Sequence, residues 1–457
     1  MIGMKQKIRR GAGVLVLAGC LMWMGACDAI DSLLSVDNPS QLMEEQANDP
    51  ALVPILVNSM AGAMVGTFDY TVVWVGQMFT DESIGGVNWE STMRLSQRIV
   101  QYFETDPNNR FAALHNVRAM SDSVAGRFRN GMLENPGSDW RMAFALAYAG
   151  YGYIFLADIM CEATVQVSEK IYQPLELYEI AVERFAEALQ VAQAANHSQV
   201  ANLARVGLAR AHLNLGNYAQ AQTYASQVDE GFKWWVQYAG QDNLDAPGNN
   251  MFTNISGANH RIGVHPVFLA GGPGNWMTQN LQAHLTDPRL QHWPRWRTGH
   301  NQASPLYTPY QTLRYSGYNG QTIASGGQPA AFTRGDDVLL ADKLEARHIY
   351  WEAVDAQGSD PAGVLGFVNE RRAAGNQPAV SLSGKPLTME LRRQKGIDTY
   401  LGGIRQGDLR RWLRLGDDMF PSGPHPVPGW DFYGDATCLP LPRWEYEGNP
   451  NIRYTGG

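Results

Sequence analysis

The run Gly207-Leu-Ala-Arg-Ala-His-Leu-Asn-Leu-Gly-Asn-Tyr-Ala-Gln-Ala221 reads as the end of one helix, a turn and the start of another. Alanine and glycine let two helices approach closely, and Gly216-Asn217 suits the turn between them. Just upstream, Pro174 to Ala195 carries Tyr178, Ala181, Phe185, Ala188 and Leu189 along one face, the period of a helix with one buried stripe. Ala201 to Leu215 forms the next helix and Gly216 opens a third. Such pairs do not bury their faces alone, so neighbours must stack. Further pairs are expected from 140–160 against 176–195, from 337–355 against 361–373, and within 388–415.

The unit at 207–221 resembles a tetratricopeptide repeat. Working outward, Trp140 to Ile159 has almost no charge before Asp158 and is expected to be buried on most of its surface. Helical periodicity also predicts Leu52 to Met64, Tyr70 to Phe79, Ser91 to Phe103 and Asn108 to Arg129. Residues 232–335 break the pattern. They hold Gly271-Gly-Pro-Gly, Gly326-Gly-Gln-Pro and many Trp and Tyr residues, among them Trp234, Trp235, Trp276, Trp293, Trp296, Tyr307, Tyr310, Tyr315 and Tyr318. An irregular stretch of that length in a compact body is often functional. Many of these rings must pin loops to the helices, and two or three are expected to face a ligand.

Lys5, Lys7, Arg9 and Arg10 precede the apolar stretch Val14 to Met24, which is too short to span a bilayer as a helix. That is the pattern of an export signal, with a membrane anchor helix as the alternative. Leu17-Ala-Gly-Cys20 and Met24-Gly-Ala-Cys27 both look like bacterial lipoboxes. Cys27 is preferred because it leaves the longer apolar core; Cys20 has the better residue three positions upstream. The expected organisation is a signal at 1–26, a lipidated tether at 27–50 and a body at 51–457. No later stretch is expected to be apolar for long enough to span. The net charge is −8, and removing the signal's four basic residues makes it about −12, which argues against nucleic-acid binding. Charged residues are only 18%, with Gly, Asn, Gln and Trp plentiful, a composition suited to neutral ligands.

Enzyme signatures with the right context are missing. Gly150-Tyr-Gly152 lacks the third glycine of a dinucleotide fingerprint and sits inside a predicted helix. His284, His292 and His300 fall eight apart with Pro288 and Pro294 between them, which suits no familiar metal site. Asp81-Glu82 and Asp336-Asp337 are acid pairs by type, but adjacent acids are usually caps or solvated charge.

Two closing stretches carry a family resemblance: Arg393-Gln-Lys-Gly-Ile-Asp-Thr-Tyr-Leu-Gly-Gly-Ile-Arg-Gln-Gly-Asp-Leu-Arg-Arg-Trp412 and Leu439-Pro-Leu-Pro-Arg-Trp-Glu-Tyr-Glu-Gly-Asn-Pro-Asn-Ile452. Together they resemble the end of SusD/RagB proteins, outer-membrane lipoproteins that capture nutrients for a TonB-dependent transporter. Ala147 to Cys161 resembles that family's core helix, and Cys27-Asp-Ala-Ile-Asp with Val36-Asp-Asn-Pro39 resembles its mature start. The sequence departs from the family pattern at Cys161-Glu-Ala-Thr, at Asp398 and at Gly402.

The resemblance implies a mainly α fold: a tetratricopeptide-like helical repeat scaffold at about 140–229 and 337–415, with the irregular segment 232–335 packed on it in a single body. It implies a lid over a SusC-like TonB-dependent barrel on the outer face of the outer membrane, held by a lipid anchor. The ligand would be an oligosaccharide or peptide, taken up without bond cleavage, cofactor or metal. The family's ligand face draws on an N-terminal stretch and the irregular segment. That points to Trp74, Trp89 and Arg94 in the first, and to Trp276, Trp293, Trp296 and Tyr307 in the second. Arg405 or Arg411 is expected against a buried acid, with Trp412 in the core. Cys161 and Cys438 are the two cysteines left after processing. The family fold brings their segments into one body, so either they pair in the oxidising compartment or they remain two buried thiols. A protein-binding repeat scaffold and a glycoside hydrolase are the competing readings; the second needs two carboxyls facing each other across a cleft.

Overall fold

The computed structural model describes residues 48–85, 90–165, 170–238, 262–268, 287–290, 292–294, 310–312, 335–427 and 430–452. Contacts divide the chain into residues 1–52 and Val53–Gly457. The signal, Cys20, Cys27 and nearly all of the tether lie outside the described residues. Of the first unit, the turn Pro50–Leu52 is described, with the Asp49 carboxylate accepting from Ala51 N–H at 2.8 Å.

The second unit is built on helices. In chain order these are α1 (Val53–Thr67), α2 (Trp74–Phe79), α3 (Glu90–Ser96), α4 (Thr105–Arg127), α5 (Trp140–Ile159), α6 (Pro174–Ala194), α7 (Ser198–Leu215), α8 (Tyr218–Ser226), α9 (Lys343–Gln357), α10 (Pro361–Ala374), α11 (Lys385–Asp398), α12 (Arg405–Arg414) and α13 (Arg443–Gly448). Sequential packing of α5 on α6, α6 on α7, α7 on α8 and α9 on α10 produces the stacked pairs that the periodicity predicts. Gly216 closes α7 with a left-handed φ of 78°.

Phe185 of α6 sets the spacing of three helices. A Cβ on Gly150 of α5 would stand 2.7 Å from its ring, and one on Gly207 of α7 closer still. The two glycines therefore form the slot that the ring fills, and Tyr151 meets it edge-on at 5.0 Å. Two helical runs, Pro50–Phe79 and Trp140–Ile159, are long and apolar enough to cross a membrane by length and composition, contrary to the expectation from sequence. Trp140–Ile159 is the central helix of the body, with its apolar stretch wholly buried among other helices.

The predicted helix 91–103 ends early, at Ser96. Arg98 takes a left-handed φ of 58°, and the chain then runs beside the C-terminal segment, with Gly434 N–H donating to the Gln97 carbonyl and Arg443 N–H to that of Tyr102. A π-helical turn, Phe68–Val73, separates α1 from α2.

The short strands form two-stranded antiparallel pairs: β1 (Ser83–Gly85) with β5 (Ile262–Val264), β2 (Ala163–Thr164) with β3 (Ile171–Tyr172), β4 (Lys233–Val236) with β8 (Val338–Asp342), and β6 (His292–Pro294) with β7 (Tyr310–Thr312). The β4–β8 ladder ties together the two ends of the irregular segment. Next to it, Trp234 packs on Phe144 of α5 and donates to the Tyr148 hydroxyl at 3.3 Å, so this ring is a pin.

The closing signature is scaffold. Trp412 is fully buried and donates through Nε1 to Glu352 at 2.5 Å. Arg411 binds Glu352 and Asp408 at 2.6 and 2.7 Å, and Lys395 reaches the same two acids at 2.9 and 2.8 Å. Arg410 donates to the carbonyls of Ala157, Asp158 and Met160, satisfying the open C-terminal end of α5. Cys161 and Cys438 are joined as a disulfide, with Cα atoms 5.0 Å apart, beside a bridge between Met160 and Leu439.

Candidate ligand-binding site

Strand β1 lies just before Trp89, and β5 opens the part of the irregular segment that leads to Trp276. The register pairs Ser83 with Val264 and Gly85 with Ile262. β7 packs against β5, and Trp293 sits opposite Gln311 in the β6–β7 ladder. The backbone thus gathers the N-terminal stretch and the irregular segment into one frame, although about 180 residues separate their strands.

The individual residues behave differently. Trp89, Trp276, Trp296 and Tyr307 lie outside the described residues, as do His284 and His300; Trp293 and His292 are described only through their backbone. Trp74 is a correction. It is 4% exposed, its ring stacks on Tyr70 at 4.7 Å, and the Arg110 guanidinium lies 4.2 Å from Tyr70 and 4.7 Å from Trp74. The ring is committed to the core and offers no open stacking face. Arg94 donates to Glu104 at 2.6 Å and remains 29% exposed, so it braces the turn after α3 and keeps only part of its guanidinium free. Burial raises the Glu104 carboxyl, and Arg94 works against that shift.

At the Ser83–Val264 end of the ladder, continued by His265 N–H donating to the Glu82 carbonyl, opens a cavity of about 630 Å³. Asp81 lies at its N-terminal side. Val267 and Phe268 follow β5, Asp287 and Leu290 come from the irregular segment, and the far wall is built by the loop after α10 and by α11. Val267 is 43% exposed, and Phe268, Met389, Ile397 and Met419 supply further apolar wall. Size and mixed lining are those of a small-ligand pocket.

The polar part is a preassembled network. Arg405 clamps Asp81 with two bonds of 2.7 Å. Its guanidinium lies over Gly396 of α11, where an added Cβ would stand 2.8 Å from Nη1; the glycine there makes room for the clamp. Arg289 grips Asp287 at 3.0 and 2.8 Å and reaches Gln394 at 2.9 Å and Asp398 at 3.2 Å. Gln377 donates to Asp287 at 3.0 Å and accepts from Gln394 at the same distance, while Arg372 holds Glu390. Burial alone would raise Asp398, but hydrogen bonds and charge from His348 and Arg371 hold it well below the usual carboxylate range. His348 is pushed down by burial, with Asp398 opposing.

Each carboxylate described on this wall (Asp81, Asp287 and Glu390) is engaged by a guanidinium. These groups are fixed acceptors suited to hydroxyls and amides. The Asp81-Glu82 pair is a clamp: the Glu82 carboxylate accepts from Leu401 N–H at 2.9 Å and its carbonyl from the Tyr400 hydroxyl at 3.1 Å. Asp337 caps Tyr238 N–H at 3.0 Å. Among the described residues no group of three or more His, Cys, Asp or Glu is arranged to hold a metal. Sequence reading singled out Arg405 but missed Asp287, Arg289 and Gln377, which separate loops bring to Gln394 of α11, so that no local pattern marks the set.

No family model matches the sequence, and no curated protein matches it. Solved structures do. A SusD-like protein from Bacteroides fragilis aligns with a TM-score of 0.65 at 13% identity, over 90% of this chain and 98% of its own. A SusD-like carbohydrate binding protein from the same species aligns with a TM-score of 0.65 at 14% identity, over 89% and 99%. A SusD superfamily protein from Bacteroides thetaiotaomicron gives 0.59 at 14%, over 90% and 100%. With nearly the whole of each neighbour matched, this chain has the fold of the SusD superfamily.

Proposed function

We propose that this protein is a nutrient-binding lipoprotein of the outer cell surface, which captures an oligosaccharide and delivers it to a SusC-like TonB-dependent transporter. The observation that supports it best is the convergence of β1, β5 and the irregular segment on one cavity with a fixed polar network and an apolar wall. Solved neighbours of this fold include one described as a carbohydrate binding protein. Binding and release, with no bond cleaved, fit carboxylates that are each held by a guanidinium. A peptide ligand is the second chemistry that such a network accepts, since it offers the same amide and carbonyl groups.

The test is calorimetric titration of the full mature chain with a panel of neutral oligosaccharides and short peptides. Saturable binding of an oligosaccharide is expected, weakened about tenfold by Arg393→Ala or Gln377→Ala at the cavity wall. Binding of peptides alone would shift the substrate class. Binding of neither would remove the capture role.

A further inference from the structure

A second cavity, of about 280 Å³, lies between α4, the strand β2 and the C-terminal helix α13. Its wall includes Phe111 and His115 of α4, Thr164 and Val165 of β2 and its exit, and Trp444, Glu445 and Asn449 of the closing segment. Nothing in the first cavity's wall is shared with it.

Three features give it ligand-binding character. Trp444 is 41% exposed, a large aromatic face left open at the rim of a concavity. What sets it apart is its place on the wall of a concavity beside fixed polar groups, since a flat aromatic face there can take an apolar ring face. Glu445 places one carboxylate oxygen on the Thr164 hydroxyl at 2.7 Å, which fixes the group at the wall. His115 accepts from Arg118 Nε through Nδ1 at 3.1 Å, so in its neutral form the proton sits on Nε2. That Nε2–H is buried and has no hydrogen-bond partner. Burial, with Arg118 adding to it, pushes the imidazole down to about 3, which keeps it neutral at physiological pH.

We propose that this cavity is a second ligand site, taking one neutral sugar ring whose C–H face lies on Trp444, whose hydroxyls donate to Glu445 and one of whose oxygens accepts from His115 Nε2–H. An aromatic face beside a fixed acceptor and an unmet donor matches a ring that is apolar on its face and polar at its edge. The Glu445 charge disfavours anionic ligands. The His115 Nε2–H is buried in the wall, so the proposed contact requires a small shift of the rim. The site stands on its own residues and holds whether or not the larger cavity binds sugar.

The test uses the full mature chain and a panel of neutral methyl glycosides at millimolar concentration, read by saturation-transfer NMR on each glycoside. At least one glycoside is expected to bind. In an Arg393→Ala background, which weakens the larger cavity, its affinity should fall about a further tenfold or more in both Trp444→Ala and His115→Phe. Thermal midpoints measured on the same samples should be near wild type for Trp444→Ala, since that residue sits at the rim. In that background, a glycoside affinity unchanged by either substitution overturns the proposal. So do signals already lost in Arg393→Ala alone, which would assign all sugar binding to the larger cavity, and so does the lack of any bound glycoside in the wild type.

Discussion

Glu352 shows how much one buried side chain organises. Burial would raise its carboxyl, yet Arg411, Lys395 and the Trp412 indole hold it well below the ordinary range. Removing one partner from such a cluster strands the others in a low-dielectric interior. Glu352→Ala is therefore expected to lose about 3–5 kcal/mol, seen as a lower urea midpoint. Gly207→Ala drives a methyl into the Phe185 ring and should cost about 1–3 kcal/mol, read the same way. The residue types of the closing signature were legible in the sequence: an arginine against an acid and a tryptophan in the core. Its acid partners at positions 81 and 352 were not, because they lie far along the chain and nothing local marks them. Trp74 failed for a related reason. Composition marks a tryptophan as valuable, but only tertiary packing decides whether its face meets Tyr70 or solvent.

Elements carry the same contrast between local and distant information. The stacked helices follow from a 3.6-residue period and appear close to where it places them. The β1–β5 and β4–β8 ladders join residues more than a hundred positions apart through strands of three to five residues, too short to show alternation. The helix from Ser91 was predicted too long because Arg98 adopts a left-handed conformation that its sequence does not announce. The Cys161–Cys438 bond ties the exit of α5 to the closing segment across 277 residues. Constraining so long a loop in the unfolded chain is worth about 2–5 kcal/mol. Cys161→Ser with Cys438→Ser should lower the midpoint by that amount relative to the oxidised wild type, and a reductant should reproduce the shift in wild type alone. Equal midpoints would mean that the bond does not form in the purified protein.

Across the whole molecule, buried titratable groups set the response to acid. Burial pushes His115 and His425 down to about 3 and His265 to about 4, with Arg118 adding to the shift of the first and His265 to that of the second. The unfolded chain protonates these rings near 6.5, so it binds more protons than the native state below that pH, and stability falls as pH drops from about 7 toward 4. Asp158 acts in the opposite sense. Burial raises it to about 6, so it adds stability as pH falls through that value. His348 and His212 shift the same way as these three, while Glu104, Glu345 and Asp355 side with Asp158; the three strongly shifted histidines, each worth about 2 kcal/mol at pH 5, dominate the balance. The urea midpoint should be clearly lower at pH 5 than at pH 7.5, and His425→Gln should flatten that dependence; a flat profile in the wild type would show that these rings are not buried neutral.

The architecture was legible from periodicity and the closing signature, while the ligand frame was legible only as two regions. Capture for a transporter, as proposed above, is tested by purifying the chain under mild conditions from the membranes of cells that make it and identifying what comes with it. A TonB-dependent barrel in near-equal amount is expected. Recovery of the chain alone, or with unrelated surface proteins, would contradict it and favour a repeat scaffold that binds other partners.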